Sequence, residues 1–128
     1  MPETKVYFFQ DEDGSVPCKA WLQKLRHQDQ KAYLKCIDSL ERLKAVGFNL
    51  RRPVADYVKE GIYELRVRSN NIQYRILFFF HGKNMIILSH GLRKEDKIPE
   101  TEIQRALLRK KRLENNPERY ICHEDSHG

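Results

Sequence analysis

Residues 61–97 constrain the fold more than any other part of the chain, because they contain three runs of strand-forming residues separated by two short turns. In residues 62–68, apolar and charged side chains alternate with a period of two, which is typical of a strand that buries one face. Asn70 and Asn71 predict a tight hairpin, since asparagine tolerates a left-handed backbone. Residues 72–80 and 85–92 form the next two runs, with a turn at residues 81–84. The sequence therefore predicts three consecutive antiparallel strands.

The turns also predict how these strands are aligned. A two-residue first turn places Arg66 opposite Arg75 and matches the apolar positions of the two strands. A second turn centred on residues 82 and 83 places Arg75 opposite His90. We therefore predict a row of Arg66, Arg75 and His90 across three neighbouring strands, with Arg68 and Gln73 flanking it on the same face. Further along, the apolar residues of that face are expected to be Leu77, Phe79, Ile86 and Leu88.

The predicted row is interpreted as an anion-binding site. Two arginines directly opposed on neighbouring strands repel each other, so a bound anion would stabilise them. A guanidinium binds phosphate through two parallel hydrogen bonds. The alternative interpretation is that each arginine is a solvated strand residue paired with a nearby carboxylate such as Glu64. His90 would then be a half-buried histidine with local hydrogen bonds.

Composition and charge favour a nucleic-acid or acidic-protein partner. The chain has 128 residues, of which 40% are hydrophobic and 33% charged, as is typical of one soluble domain. Its net charge of +6 and its pI near 9.3 attract nucleic acid or an acidic protein segment. No apolar run approaches the ~20 residues of a membrane span, and the N-terminus lacks the architecture of a signal peptide. We expect a cytoplasmic protein without membrane contact.

The cysteines and histidines do not predict a metal site. Three widely spaced cysteines without a C-x-x-C motif suit a reducing compartment. Cys122, His123 and His127 lie close together in the sequence, but a fourth ligand at a recognised spacing is missing. We therefore expect neither a metal nor another cofactor.

The rest of the chain completes an α+β pattern, predicted as a single domain over residues 1–114. A strand is predicted over residues 5–9, a helix capped by Ser15 over 17–26, and an amphipathic helix ended by Gly47 over 29–46. Residues 48–58 are predicted to be a connector, and Pro99 begins a last helix over 100–113 that covers the apolar end of the sheet face. The predicted order is β-α-α-β-β-β-α, a small mainly antiparallel sheet packed against helices. Residues 115–128 are predicted to be a polar, flexible tail.

Three segments of the sequence carry a family resemblance. They are VYFFQDEDGSVPCKAWLQKL, GIYELRVRSNNIQYRILFFF and ILSHGLRKEDKIPETEIQRA. In this order they resemble the HigB-like branch of the RelE/ParE toxin superfamily, over roughly residues 5–110. The resemblance implies a RelE-like fold. Arg66, Arg75 and His90 match the arginines and the histidine of the family's motifs, and Lys94 matches the first lysine of its basic loop.

The resemblance implies roles for these residues. Arg66, Arg75 and His90 are expected to be catalytic, with the arginines on the scissile phosphate and the histidine as acid or base. The two arginines are also expected to lower the pKa of His90, which leaves it neutral and able to accept a proton. The residues expected to bind flanking RNA are Arg68, Gln73, Arg93, Lys94 and Lys97. The basic loop departs from the family's pattern, because it carries Glu95 and Asp96 where relatives usually have a second lysine and a hydroxyl residue.

The activity that the resemblance implies is that of a toxin from a type II toxin–antitoxin system. Such a toxin would cut mRNA on the ribosome without a metal, through attack of a 2′-hydroxyl on the adjacent phosphorus. Its implied partner is a helix-turn-helix antitoxin, and it would contact operator DNA only through that antitoxin. Two alternatives stay open: a non-enzymatic gyrase inhibitor of the ParE type, and an inactive basic RNA-binding module, for which the acidic residues of the loop argue.

Overall fold

The computed structural model describes residues 4–47, 55–93 and 96–123, which form one mostly antiparallel, six-stranded sheet with helices on both faces. The strands are β1 (Lys5–Phe9), β2 (Ala55–Lys59), β3 (Ile62–Ser69), β4 (Ile72–His81), β5 (Met85–Arg93) and β6 (Ile121–Cys122). The helices are α1 (Pro17–Gln28), α2 (Gln30–Val46), α3 (Glu100–Asn115) and α4 (Pro117–Tyr120). The strand order is β2-β3-β4-β5-β1-β6, with β1 parallel to β5. The predicted α+β fold is confirmed, and it is compatible with a RelE-like architecture.

The two long helices of the N-terminal half cover one face of the sheet. Successive side chains of a strand point to opposite faces, so each central strand contributes to two cores. Leu22 of α1 and Cys36 and Leu43 of α2 are buried in one cluster with Phe78 and Leu88 of the sheet. Asp29 caps α2 by accepting a hydrogen bond from the backbone N–H of Ala32.

Helix α3 covers the opposite face, which carries the candidate site. Leu77 and Phe79 lie in its cluster, as predicted, and Ile87 joins them. The prediction is wrong for Ile86 and Leu88, which are buried on the face covered by α1 and α2. The reason is the alignment of β5, which differs from the predicted one by a single residue at this point.

The β3–β4 hairpin has the predicted alignment. Asn70 and Asn71 form its turn with φ angles of 52° and 66°, the left-handed backbone that the sequence predicts. Arg66 is paired with Arg75 across the two strands, and Leu65 with Ile76. The two predicted arginines are therefore direct neighbours on one face of the sheet.

The β4–β5 hairpin departs from the prediction at two points. Its loop has three residues, because His81 pairs with Met85, and a bulge then leaves Ser89 without a cross-strand partner. The predicted pairing of Arg75 with His90 is wrong: Leu77 is opposite His90, and Leu92 is opposite Arg75. The three-residue loop and the bulge each shift the alignment of β5 by one residue. Because side chains alternate between the two faces of a strand, the combined shift of two residues leaves His90 on the face that carries Arg75.

Other predicted boundaries also need correction. The predicted connector ends in a strand, because β2 (Ala55–Lys59) pairs antiparallel with β3; residues 48–54 lie outside the described part. Val16, not Ser15, is the N-cap of α1. The flexible tail predicted from residue 115 is wrong as far as Cys122, because β6 pairs with β1 and Tyr120, Ile121 and Cys122 are buried. Residues 124–128 lie outside the described part.

Trp21 lies directly on the backbone of Gly91, where a side chain would collide with the indole ring. A Cβ atom at Gly91 would be 2.2–2.6 Å from three carbons of that ring. We therefore expect Gly91→Ala to lower the free energy of unfolding by about 1–3 kcal/mol, because the ring must move out of its packed position. Urea unfolding followed by circular dichroism measures this loss.

The matched control places the same substitution in a Trp21→Leu background. The smaller side chain removes the collision, so the cost of Gly91→Ala is expected to fall to less than half. Equal costs in the two backgrounds would contradict this explanation and assign the effect to the backbone of β5.

Candidate functional site

The centre of the candidate site is an arginine pair bridged by a buried carboxylate. Glu64, with 4% of its surface exposed, lies two residues before Arg66 on the same face of β3. Its Oε1 accepts a short hydrogen bond from Arg66 Nε, and its Oε2 is 3.6 Å from Arg75 Nη1. Asp56 of β2 adds a second carboxylate, 3.3 Å from Arg66 Nη2. These carboxylates offset the repulsion between the opposed arginines.

The two arginines differ in how much of each side chain reaches solvent. Arg66 is 45% exposed, whereas Arg75 is 14% exposed and its buried Nε has no hydrogen-bond partner among the described residues. The hydrogen bond to Glu64 is the main cause that raises the pKa of Arg66. Each guanidinium carries five N–H donors, so the pair has donors beyond those that Glu64 uses.

His90 is on the same face as the arginines but is held by α3. It is a diagonal neighbour of Arg75, a position about 7–8 Å away in a regular antiparallel pair. Its side chain is 8% exposed. Arg109 Nη1 donates to His90 Nδ1 across 2.9 Å, and Ser89 Oγ lies 2.8 Å from the same nitrogen. Glu102 Oε2 is 3.6 Å from Nε2, which is buried without a hydrogen-bond partner in the described part of the chain.

These contacts fix the protonation state of His90. A guanidinium can only donate, so Nδ1 must accept and the neutral ring carries its proton on Nε2. Burial lowers the pKa of His90 to about 4, and the charges of Arg109 and Arg105 act in the same direction. Glu102, 3.6 Å from Nε2, also forms a 2.7 Å ion pair with Arg105.

The neutral state of His90 agrees with the expectation from the sequence, but its cause is different. The sequence suggested that Arg66 and Arg75 would lower the pKa; the structure assigns this effect to burial and to two arginines of α3. The expected role as a proton acceptor also needs revision, because Nδ1 is occupied by Arg109 and Nε2 carries the proton. In this arrangement His90 is a hydrogen-bond donor.

The lowered pKa predicts how stability depends on pH. The unfolded chain binds a proton at His90 below its ordinary pKa of 6.5, whereas the folded chain does so only near pH 4. The free energy of unfolding should therefore fall as pH falls from 6.5 to 4, by on the order of 3 kcal/mol. The difference between the unfolding curves of wild type and His90→Asn measures this effect. Parallel pH dependences would contradict it.

The remaining predicted residues lie at different places. Arg68 and Gln73 are paired at the hairpin end of the arginine face, and Arg68 donates to Asn71 Oδ1 across 3.2 Å. Arg93 is opposite Tyr74 and therefore on the other face of the sheet, beside a cavity of about 450 Å³ next to Trp21. Lys97 is exposed before α3, and Lys94 lies outside the described residues. Arg93 is thus separated by the sheet from Arg66, Arg68 and Arg75.

Sequence reasoning named Glu64 as a carboxylate that could pair with each arginine, and it missed two residues that shape the site, Glu102 and Arg109. The alternation of β3 already places Glu64 on the arginine face. Glu102 and Arg109 are seven residues apart, two turns of one helix, and flank the apolar stripe of α3. Their positions in the sequence could have indicated a charged edge next to the sheet, although not its contact with His90.

The comparisons with known proteins agree with the fold. The family model of the Phage derived protein Gp49-like (DUF891) proteins matches residues 20–111. The chain belongs to this family. The Gp49-like family is part of the RelE/HigB-type toxin grouping, so the predicted resemblance is confirmed at that level, and the match includes the arginine pair, Glu64, His90 and Arg109. Among curated proteins, none matches the chain.

Two further findings concern membrane spans and metal sites in this Gp49-like protein. Within residues 4–47, 55–93 and 96–123, no helix has the length and apolar character needed to cross a membrane. The same residues contain no group of three or more histidine, cysteine or acidic side chains that could hold a metal ion. His127, considered in the sequence as a ligand, lies outside them.

Proposed function

We propose that this protein is the toxin of a type II toxin–antitoxin pair and that it cuts messenger RNA on the ribosome as a metal-independent endoribonuclease. The observation that carries the proposal is the direct pairing of Arg66 with Arg75, on the sheet face that also holds a neutral His90. Membership of a family in the RelE/HigB-type toxin grouping supports the toxin assignment.

The proposed reaction begins when an RNA phosphate replaces Glu64 as the partner of the two arginines. Glu64, freed from them, accepts the proton of the 2′-hydroxyl, and the 2′-oxygen forms a bond to phosphorus. The bond from phosphorus to the 5′-oxygen breaks, and that oxygen takes a proton from water. Arg66 and Arg75 stabilise the extra negative charge on the phosphorane, in the way that an oxyanion hole does. The products are a 2′,3′-cyclic phosphate and a free 5′-hydroxyl.

His90 takes part as a donor in this scheme. Its Nε2–H hydrogen-bonds the departing 5′-oxygen once the side chain of Glu102 turns away from it. Glu102 can keep its ion pair with the exposed Arg105 when it does so. Arg109 holds the imidazole in the tautomer that donates.

Induction in translating cells, followed by primer extension on a reporter message, tests the proposal. New 5′ ends inside the translated region are expected soon after induction. Purified protein with the same message, alone and in ribosome complexes, tests the dependence on the ribosome. Growth arrest with intact transcripts would contradict nuclease activity.

A second candidate function is growth inhibition through protein contact, as in gyrase-inhibiting toxins. It is favoured by the charge balance of the site, since Glu64 and Asp56 already supply counter-charges to the arginine pair and Glu102 lies 3.6 Å from His90 Nε2. It predicts DNA-damage signalling on induction, no cleavage of the message and unchanged toxicity of His90→Ala.

Either toxin function includes an antitoxin, proposed to be a small helix-turn-helix protein that also connects the complex to operator DNA. Co-expression tests this part of the proposal. A helix-turn-helix protein encoded beside the toxin is expected to relieve growth arrest and to co-purify with it. Arrest that persists in its presence would contradict the pairing.

A further inference from the structure

A groove of about 750 Å³ lies between α2 and the hairpin end of β3. One wall is the exposed face of α2, and the other is formed by residues 66–68. Its volume is within the range of about 300–1,000 Å³ that ligand-binding pockets occupy. The groove is thus large enough to hold part of an extended polymer.

The groove is strongly cationic. Its charged lining residues are Lys31, Lys35, Arg42, Arg66 and Arg68, together with the carboxylate of Asp38. Asp38 is 3.3 Å from Arg42, in an exposed ion pair. Lys31 and Lys35 both line the groove, and neither forms an ion pair with any other described residue. A polyanion would match this surface.

The cations of α2 are arranged in one row. Lys31, Lys35 and Arg42 are four and then seven residues apart, which places them on the same side of the helix. At 1.5 Å per residue the first two are about 6 Å apart along the axis, and the whole row spans about 16 Å. Such a row can contact two or three successive phosphates of a single strand.

The groove borders α2, on one face of the sheet, and it meets the candidate site, on the α3 face, at Arg66. Arg66 lines the groove and also belongs to the arginine pair at Glu64. Leu34, which is 56% exposed, adds an apolar patch to the α2 wall on which a ribose or base can pack. A strand held at Arg66 therefore faces Lys35 and Lys31, and the carboxylate that lines the groove, Asp38, is paired with Arg42.

We propose that this groove binds the backbone of single-stranded RNA next to the phosphate held by Arg66 and Arg75. The inference rests on the proposed function for its substrate, and it adds the path that the substrate takes. The charges favour RNA over an acidic protein segment, because they are spaced along one row and continue into a phosphate-sized arginine pair. An acidic protein segment is the competing occupant that the experiment must exclude.

The test measures binding of a fluorescent 12-nucleotide oligouridylate by fluorescence anisotropy, with His90→Ala present in every protein to suppress cleavage. Lys31→Gln/Lys35→Gln removes two groove cations, and glutamine keeps the helix propensity of lysine. We expect binding at low salt to weaken about tenfold, and the slope of log K against log salt to fall by about 1.4, at about 0.7 per cation.

The matched control is Lys24→Gln/Lys111→Gln, which removes the same charge from exposed positions on α1 and α3. Its slope should stay within about 0.3 of wild type. Equal losses in the two double variants, or no binding by the wild-type groove, would overturn the inference. Displacement of the RNA by polyglutamate of equal length, with the same dependence on Lys31 and Lys35, would assign the groove to an acidic protein segment.

The binding result can be separated from the fate of the proposed function. Groove-dependent binding without any message cleavage would leave the RNA path in place and remove the nuclease. If Lys31→Gln/Lys35→Gln changed neither the cleavage rate nor the salt slope of binding, the nuclease would stand and the RNA path would be removed.

Discussion

Arg75→Ala is expected to slow message cleavage by about 10²–10³-fold, the usual effect of removing one donor from an oxyanion-type site. Arg75 is the less exposed member of the arginine pair, and its Nε is a buried donor without a partner among the described residues. Cleavage is measured with purified protein and ribosome complexes, as the rate at which 5′ ends appear. Arg75→Lys should recover little, because an ammonium cannot replace the planar fork of a guanidinium.

Arg93→Ala is the matched control for this prediction. It removes the same charge from the same end of the sheet, but from the opposite face. Its cleavage rate should remain within about threefold of wild type, since its guanidinium has no place in the proposed site. Equal losses for the two variants would mean that charge alone, rather than position on one face, determines the rate. Retention of full activity by Arg75→Ala would contradict the proposed phosphate contact.

Glu64→Ala is expected to destabilise the fold by about 3 kcal/mol, because it leaves the nearly buried Arg75 opposite Arg66 without a counter-charge. Arg66 is partly exposed, so water can solvate its charge when Glu64 is removed. The expected loss in the free energy of unfolding is therefore at the lower end of the range for breaking a buried ion pair. A loss of this size is a large fraction of the 5–15 kcal/mol that stabilises a typical domain. Chemical unfolding monitored by circular dichroism measures it.

Two controls make the Glu64 prediction specific. Glu114→Ala removes a carboxylate from an exposed ion pair with Lys110 on α3 and should cost less than about 0.5 kcal/mol. Glu64→Ala should also cost much less in an Arg75→Ala background, because the charge left uncompensated is then absent. A cost as small as that of Glu114→Ala would mean that Glu64 does not bridge the arginine pair.

The sequence predicted the elements and alignments that depend on local chemistry. The period of two in β3 and the asparagine turn were sufficient to pair Arg66 with Arg75, because a one-residue slip would bury charged side chains. The helical stripes likewise predicted α1, α2 and α3 to within two residues at their ends. These features are determined by neighbours along the chain.

The incorrect predictions concern features that depend on partners far away in the sequence. The bulge at Ser89 has no local signal, and it accompanies the approach of Arg109 to Ser89 Oγ and His90. Strand β6 is only two residues long and is stabilised by pairing with β1, which is far away in the sequence. The polar residues on both sides of it therefore led to the prediction of a flexible tail. The charged groups around His90, Arg109 and Glu102, belong to α3. The sequence of β5 alone could predict neither their distances from His90 nor the signs of their charges.

The most direct test of the account is end-group analysis of the RNA that purified protein cuts in a ribosome complex. The arginine pair and His90 predict cleavage that leaves a 2′,3′-cyclic phosphate and a 5′-hydroxyl. Products with 5′-phosphate ends, or an intact message under conditions where the protein arrests translation, would contradict the account.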